Sequence, residues 1–207
     1  MEPIGGTVEF KQVVDRRRMV RHYERRPVPS ETVERIVRTA RRAPSAGFAQ
    51  AQNFVVVTQD SLRTRIARLA GEEDYVARGF PPWLSTAPVH IVVCADEAAY
   101  ERRYGAADKA ASDPSGWPVP YAVVDAGAAL MLLLLAAVDE GLSAGFLGAH
   151  RLGGIRELLA VPEHAALIGL VTVGYPAPDR RSGSLQAGWR PLDEVVHGEG
   201  WGLDRTT

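Results

Sequence analysis

Cysteine and lysine are both scarce in this chain. A single cysteine, Cys94, among 207 residues excludes an intrachain disulfide and a cysteine-based metal cluster. It lies in the apolar run at residues 90–94, where a small buried thiol is the expected role. Of 24 basic residues only Lys11 and Lys109 are lysines, while ten arginines fall between Arg16 and Arg42. A net charge of -1 gives no general attraction to nucleic acid or an acidic membrane, and Glu24, Glu31 and Glu34 interrupt the arginine-rich stretch. No strand–GxGxxG–helix unit and no GxxxxGK[ST] are present, so neither a Rossmann dinucleotide site nor a P-loop is supported. His22, His90, His150, His164 and His197 include no i, i+4 pair, and no metal site follows from them. The opening residues MEPIGGTVEF have an acid at position 2 and no apolar stretch of signal-peptide type, so a cytoplasmic location is expected.

What the chain does have is apolar content, 46% of its residues, enough to bury one core; a single domain over 1–207 is expected. Its organising stretch is 125–150. Residues 126–138 carry no charge and are rich in Ala and Leu, which predicts a helix apolar on every face. Thirteen such residues fall short of the ~20 that span a bilayer, so the helix belongs at the centre of a core, shared between two subunits. Asp125 can cap its first turn and Gly141 can supply the positive φ that ends it. Residues 142–148 then read as a small-residue turn where backbone can approach a ligand. The letters Gly141-Leu142-Ser143-Ala144-Gly145 match G-x-S-x-G, with Asp179, Asp193 and His197 in hydrolase order. A nucleophile elbow needs a strand leading in, and here a helix does, so the match is rejected.

Elsewhere, Val33, Ile36, Val37 and Ala40 recur at helical spacing after Ser30, an expected N-cap. A loop from Pro44 to Gln50 leads to a strand at 53–58, and a helix follows with Leu62, Ile66 and Leu69 on one face. Further strands are expected at 89–95 and 167–174, and a short helix at 155–159. The acids Glu72, Glu73 and Asp74 read as a solvated helix end. Residues 72–120, broken by glycine and proline, read as a lid-like segment, and 191–207 as an extended tail. Few strands among many helices predict an α+β fold.

The strongest constellation joins Arg17, Arg18 and Arg21, the loop 44–50, and Arg190; arginines at its two ends are suited to a phosphate. These residues resemble the FMN-dependent nitroreductases. The family's opening R-R-S-x-R-x-F is similar to Arg17-Arg18-Met19-Val20-Arg21-His22-Tyr23, and its A-P-S-x-x-N-x-Q-x-x-x-F-x-V-V to Ala43-Pro44-Ser45 with Gln50, Phe54, Val56 and Val57 in register. Residues 133–137, 141–148, 161–163, 174–176 and 190–197 continue the resemblance in order, and only 72–120 lacks a counterpart.

The resemblance implies a central, mostly antiparallel sheet surrounded by helices, and a homodimer with the long buried helix and FMN at the interface. NAD(P)H would be the electron donor and a flat electron-poor aromatic, such as a nitroaromatic or quinone, the acceptor. No side chain would be an obligate acid, since flavin N5 carries the chemistry. The implied cofactor positions are Arg17, Arg18 and Arg190 at the phosphate and Arg21 near the N1 and O2 edge of the ring. Met19 lies among them. Ser45 and Gln50 would contact the ring or ribityl chain from the partner subunit, backbone N–H groups around Leu147 to Ala149, Gly148 included, would reach N5, and Pro44, Ala46, Gly47 and Phe146 complete the implied cofactor positions. No metal, nucleic acid or membrane is implied. Met19 stands where the family usually has a hydroxyl, Phe48 where an Asn often lies, and Gly188 where a Lys is common. These departures keep open a second reading, a non-catalytic protein that binds a flavin or deazaflavin on the same fold. Phe80, Trp83, Trp117 and Tyr121 are the aromatics expected to shape an acceptor pocket.

Overall fold

Strand β2 (Val89–Asp96) is buried on both faces over nearly its whole length. Alternation along it sends Val89, Ile91, Val93 and Ala95 to one side and Val92 and Cys94 to the other, so it separates two apolar clusters. In the computed structural model, which describes residues 9–109, 116–178 and 183–203, four strands pair antiparallel in the order β1 (Gln52–Val57), β2, β4 (Ala165–Gly174), β3 (Ser143–Gly148). This is the α+β sheet that the sequence predicts.

One cluster lies beneath α6 (Tyr121–Asp139) and α2 (Ser30–Ala40), the other beneath α3 (Asp60–Leu69) and α7 (Ile155–Leu158). Helix α2 buries Val33, Ile36 and Ala40, as its periodicity predicts, but Pro29 occupies the N-cap and Ser30 is already inside the helix. Helix α6 is longer than its charge-free core. It begins after Pro120, so Asp125 lies within the helix as a buried side chain and not at its cap; Gly141, at φ 73°, closes the far end as expected. Ala122, Ala126, Leu133 and Ala137 form the face set against the sheet, where small side chains let helix and strands approach closely. Val124 and Met131 on the other side stay about half exposed, so one chain alone does not cover every face. At 19 residues α6 is long and apolar enough to cross a bilayer, yet its alanine face is built into the sheet's core.

Residues 142–148 form no turn. They make β3, an edge strand whose outer side receives the N-terminal segment that follows α1 (Phe10–Arg16). Met19 bridges Ala144, Val20 N–H donates to the Ala144 carbonyl at 3.0 Å, and Tyr23 Oη contacts the Val20 carbonyl and Thr172 Oγ1 at 2.8 and 2.7 Å. Gly145 permits this approach, because a Cβ there would stand 2.4 Å from the Val20 carbonyl oxygen. The expected lid is also partly core. After α4 (Glu72–Ala77), helix α5 (Glu97–Tyr104) buries Tyr100 and Tyr104; Trp117 meets both edge-on, and Tyr121 meets Trp117 in the same way.

On β2, His90 donates from Nε2 to the Leu84 carbonyl at 2.8 Å, and its buried Nδ1 faces no polar partner, so the ring is neutral. Burial pushes its pKa down to about 4; the Leu84 bond opposes this, the Arg63 charge adds to it, and Glu72 opposes it. In the unfolded chain the ring titrates near ~6.5, so between there and pH 4 the unfolded state binds a proton that the folded state refuses. Stability should therefore be full above pH 6.5 and fall by about 3 kcal/mol as the pH drops to 4. Urea unfolding across that window checks this, and His90→Gln, which keeps a donor for Leu84, should flatten the slope. Gly145→Ala should cost about 1–3 kcal/mol through overpacking, read by the same unfolding curves together with faster amide exchange at Val20.

Candidate functional site

A cavity of about 1020 Å³ opens where the N-terminal segment, α4 and β3 converge. Arg21 and His22 come from the segment beside β3, Phe146 and Leu147 from the end of that strand, and Trp83 and Leu84 from the turn before β2. Tyr75 and Phe80, stacked with their ring centroids 4.6 Å apart, form the wall by α4. The Arg21 guanidinium stands 5.6 Å from the Trp83 ring centroid, within cation–π range. Arg78 and Arg151 add two more cations to the lining. The arrangement offers a flat apolar surface with positive charge at its rim, which suits a planar ligand that carries or gathers negative charge.

Glu72 is the lining carboxylate among the described residues, and it is no solvated helix end. It is buried, and Oε1 accepts the backbone N–H groups of Trp83 at 2.7 Å, Leu84 at 2.6 Å and Ser85 at 3.2 Å. Such bonds satisfy a carboxylate that would otherwise be costly to bury. The acid run Glu72-Glu73-Asp74 could not reveal this, because the acceptor's partners lie about ten residues further on in a segment without regular pattern.

The loop 44–50 lies elsewhere. Its 3₁₀ turn, Ala46–Phe48, has left-handed φ at Gly47 and Phe48, and Gln50 follows at φ 51°. For Phe48 and Gln50 that conformation is strained, and the surroundings hold it in place. Asp125 accepts the Ala46 N–H at 3.0 Å and the Tyr100 hydroxyl, Arg103 Nε donates to the Gly47 carbonyl at 2.6 Å, and Ser45 Oγ accepts the Gln50 N–H. Burial, then the bond to Asp125, pushes the Tyr100 hydroxyl far above its ordinary pKa, so it stays a donor. The product is a rigid loop that exposes Phe48 to solvent.

Of the sequence-predicted site residues, Arg21, Phe146 and Leu147 line the cavity. Among the described residues that line it, Arg17, Arg18, Met19, Pro44, Ser45, Ala46, Gly47, Gln50, Gly148, Ala149 and Arg190 are not included. Arg190 is paired with Glu194 at 3.2 Å, four residues on. Phe80 and Trp83 do line the cavity, whereas Trp117 and Tyr121 belong to the aromatic cluster around Tyr100 and Tyr104. His22, Tyr75, Arg78 and Arg151 were not picked out by sequence reasoning. The rejected hydrolase reading stays rejected: Ser143 opens β3, His197 stacks on Trp201, and Asp179 lies outside the described residues.

Comparisons with known proteins agree with this architecture. A protein-family model described as the nitroreductase family matches residues 14–175. A protein of Archaeoglobus fulgidus, provisionally named NADH dehydrogenase/NAD(P)H nitroreductase, is 29% identical over 197 residues, covering 93% of this chain and 99% of that protein. Human iodotyrosine deiodinase 1 is 26% identical over 214 residues, covering 94% of this chain and 70% of that one. Among solved structures, an NADPH:FMN oxidoreductase from Vibrio harveyi complexed with NAD+ superposes with a TM-score of 0.70 at 24% identity, covering 93% of this chain and 77% of that one. With this match extending from the N-terminal arginines through the last strand, the chain belongs to the nitroreductase family.

Proposed function

We propose that the protein is an FMN-dependent oxidoreductase that passes electrons from NAD(P)H to a flat electron-poor acceptor such as a nitroaromatic or quinone. The observation that supports this reading is the convergence of Arg21, Trp83, Phe146 and Leu147 on one cavity large enough for a planar cofactor and a second ring. The human relative's name adds an iodinated aromatic to the acceptors worth testing. Bound FMN would supply the two-electron chemistry at its N5. The chain's own residues bind and orient. Arg21 would supply a fixed positive charge to a ring that gathers negative charge on reduction, in a setting partly closed to water, where such a charge acts strongly. Phe146 and Leu147 give the ring a flat apolar floor, and the backbone of Gly148 and Ala149 would run past its reactive edge.

The remaining cofactor positions fit a site built from two chains. Loop 44–50, with Pro44, Ser45, Ala46, Gly47 and Gln50, is rigid and lies outside this chain's own cavity, so we assign it to the cavity of a partner subunit in a homodimer. The exposed apolar side of α6, with Val124 and Met131, would be covered there. Arg17, Arg18 and Arg190 would take the phosphate once Arg190 exchanges Glu194 for it, with Met19 beside them. We read 1–207 as one domain in the cytoplasm, with residues around 72–120 framing the acceptor side and 191–207 extending from the body.

Anaerobic titration of the FMN-loaded protein with NADH and NADPH tests the proposal. The visible flavin band should bleach, and a quinone or nitroarene should restore it. Arg21→Gln should slow the bleaching about tenfold to a hundredfold. A flavin that binds without bleaching supports the non-catalytic reading instead, and a protein that takes up neither FMN nor a deazaflavin overturns both.

A further inference from the structure

We infer that Glu72 is a positioning residue of the cavity: its carboxylate fixes the turn at residues 82–85, thereby the Trp83 ring, and through that ring the Arg21 guanidinium. The claim about Arg21's effect on chemistry rests on the flavin reading above, whereas the positioning itself rests on geometry.

Gly71, in the left-handed region at φ 75°, turns the chain sharply between α3 and α4 and places Glu72 as the first residue of α4, with its side chain inside the protein. Three consecutive backbone N–H groups then converge on it. Oε1 takes those of Trp83, Leu84 and Ser85, and Oε2 takes a second contact from Ser85 at 3.2 Å. Successive N–H groups gathered on one anion form a nest, which fixes the backbone dihedrals of the residues that supply them. The same turn is tied from its other side. His90 donates to the Leu84 carbonyl, and Thr86 Oγ1 is 3.2 Å from the carbonyls of both Pro82 and Trp83.

With its backbone held this way, Trp83 has little freedom left. Its ring is almost fully buried, with one edge so close to β3 that a Cβ on Gly145 would lie 3.1 Å from it, and Arg21 standing 5.6 Å from its centroid. Trp83 is thus a spacer between an anchored turn and the cation of the cavity. Replacing the Glu72 carboxylate by an amide leaves one uncharged oxygen for three N–H groups and puts an NH2 donor where Oε2 accepts from Ser85, so the nest weakens and the turn must relax. Trp83 then shifts, and the surface against which Arg21 rests shifts with it. Glu72 touches no reacting atom in this scheme and acts only through Trp83.

Two readouts separate this role from a merely structural one. In the flavin-free protein, the Nε–H resonance of Arg21 carries the ring current of Trp83. It should move in Glu72→Gln toward its position in Trp83→Leu, while Glu73→Gln on the exposed neighbour leaves it in place. An unmoved Arg21 resonance in Glu72→Gln overturns the inference. In the FMN-loaded protein, Glu72→Gln should shift the flavin's midpoint potential in the same direction as Arg21→Gln. The double variant should shift it no further than Arg21→Gln alone, because residues acting in series are not additive. Additive shifts overturn the inference. Should Glu72→Gln not fold, Glu72→Asp, which keeps the charge on a side chain one methylene shorter, carries the same comparisons. A wild type that takes up no flavin would sink the proposed function, and the resonance experiment would still decide the role of Glu72.

Discussion

The contact between the alanine face of α6 and the inner face of β2 is the constraint on which the rest of the molecule depends. Ala122, Ala126 and Ala137 bring the helix close, and Val89, Ile91, Val93 and Ala95 fill the facing side of the strand. Close packing of this kind leaves no room for the helix to slide, since interiors are as dense as organic crystals. Where α6 ends, β3 must begin, and it begins on the edge of the same sheet. The N-terminal segment follows, because Gly145 leaves space for the Val20 carbonyl. Arg21 is therefore located through the strand that α6 leads into.

Two buried carboxylates convert that core into a site. Asp125, inside α6, holds the loop at Ala46, and Glu72, at the start of α4, holds the turn at 83–85. Asp125 accepts one backbone N–H and Glu72 three, each from a segment outside the sheet and the α-helices, so each supplies hydrogen bonds that a sheet or helix would otherwise provide. The irregular parts of the chain thereby gain the rigidity that ligand binding requires, without giving up irregular shape.

Much of the fold was legible in the sequence for plain reasons. Helices α2 and α6 and strands β2 and β4 carry periodicity or composition strong enough to be read directly, and the order of family-like motifs gave Arg21, Phe146 and Leu147. Strand β3 was not legible. Ser143, Ala144, Gly145 and Gly148 have little intrinsic strand preference, and their state is set by β4 on one side and the N-terminal segment on the other. Asp125 was misplaced because Pro120, five residues earlier, starts the helix. Glu72 was misread because the burial of an acid is decided by what folds back upon it. The errors fall where tertiary contacts outweigh local preference.

The sheet order has a consequence for how the protein is made. Its central strand β2 pairs with β4 through partners such as Val89 and Val173, while α5, α6 and β3 all lie between them in the chain. During synthesis from the N-terminus, β2 emerges long before its neighbour exists, and with β1 alone it presents an open edge of valine and isoleucine. Loop closure over so long a separation is slow. The nascent chain therefore passes through an interval in which its most apolar strand is half paired, and the arrival of β4 relieves that exposure and closes the core in one step.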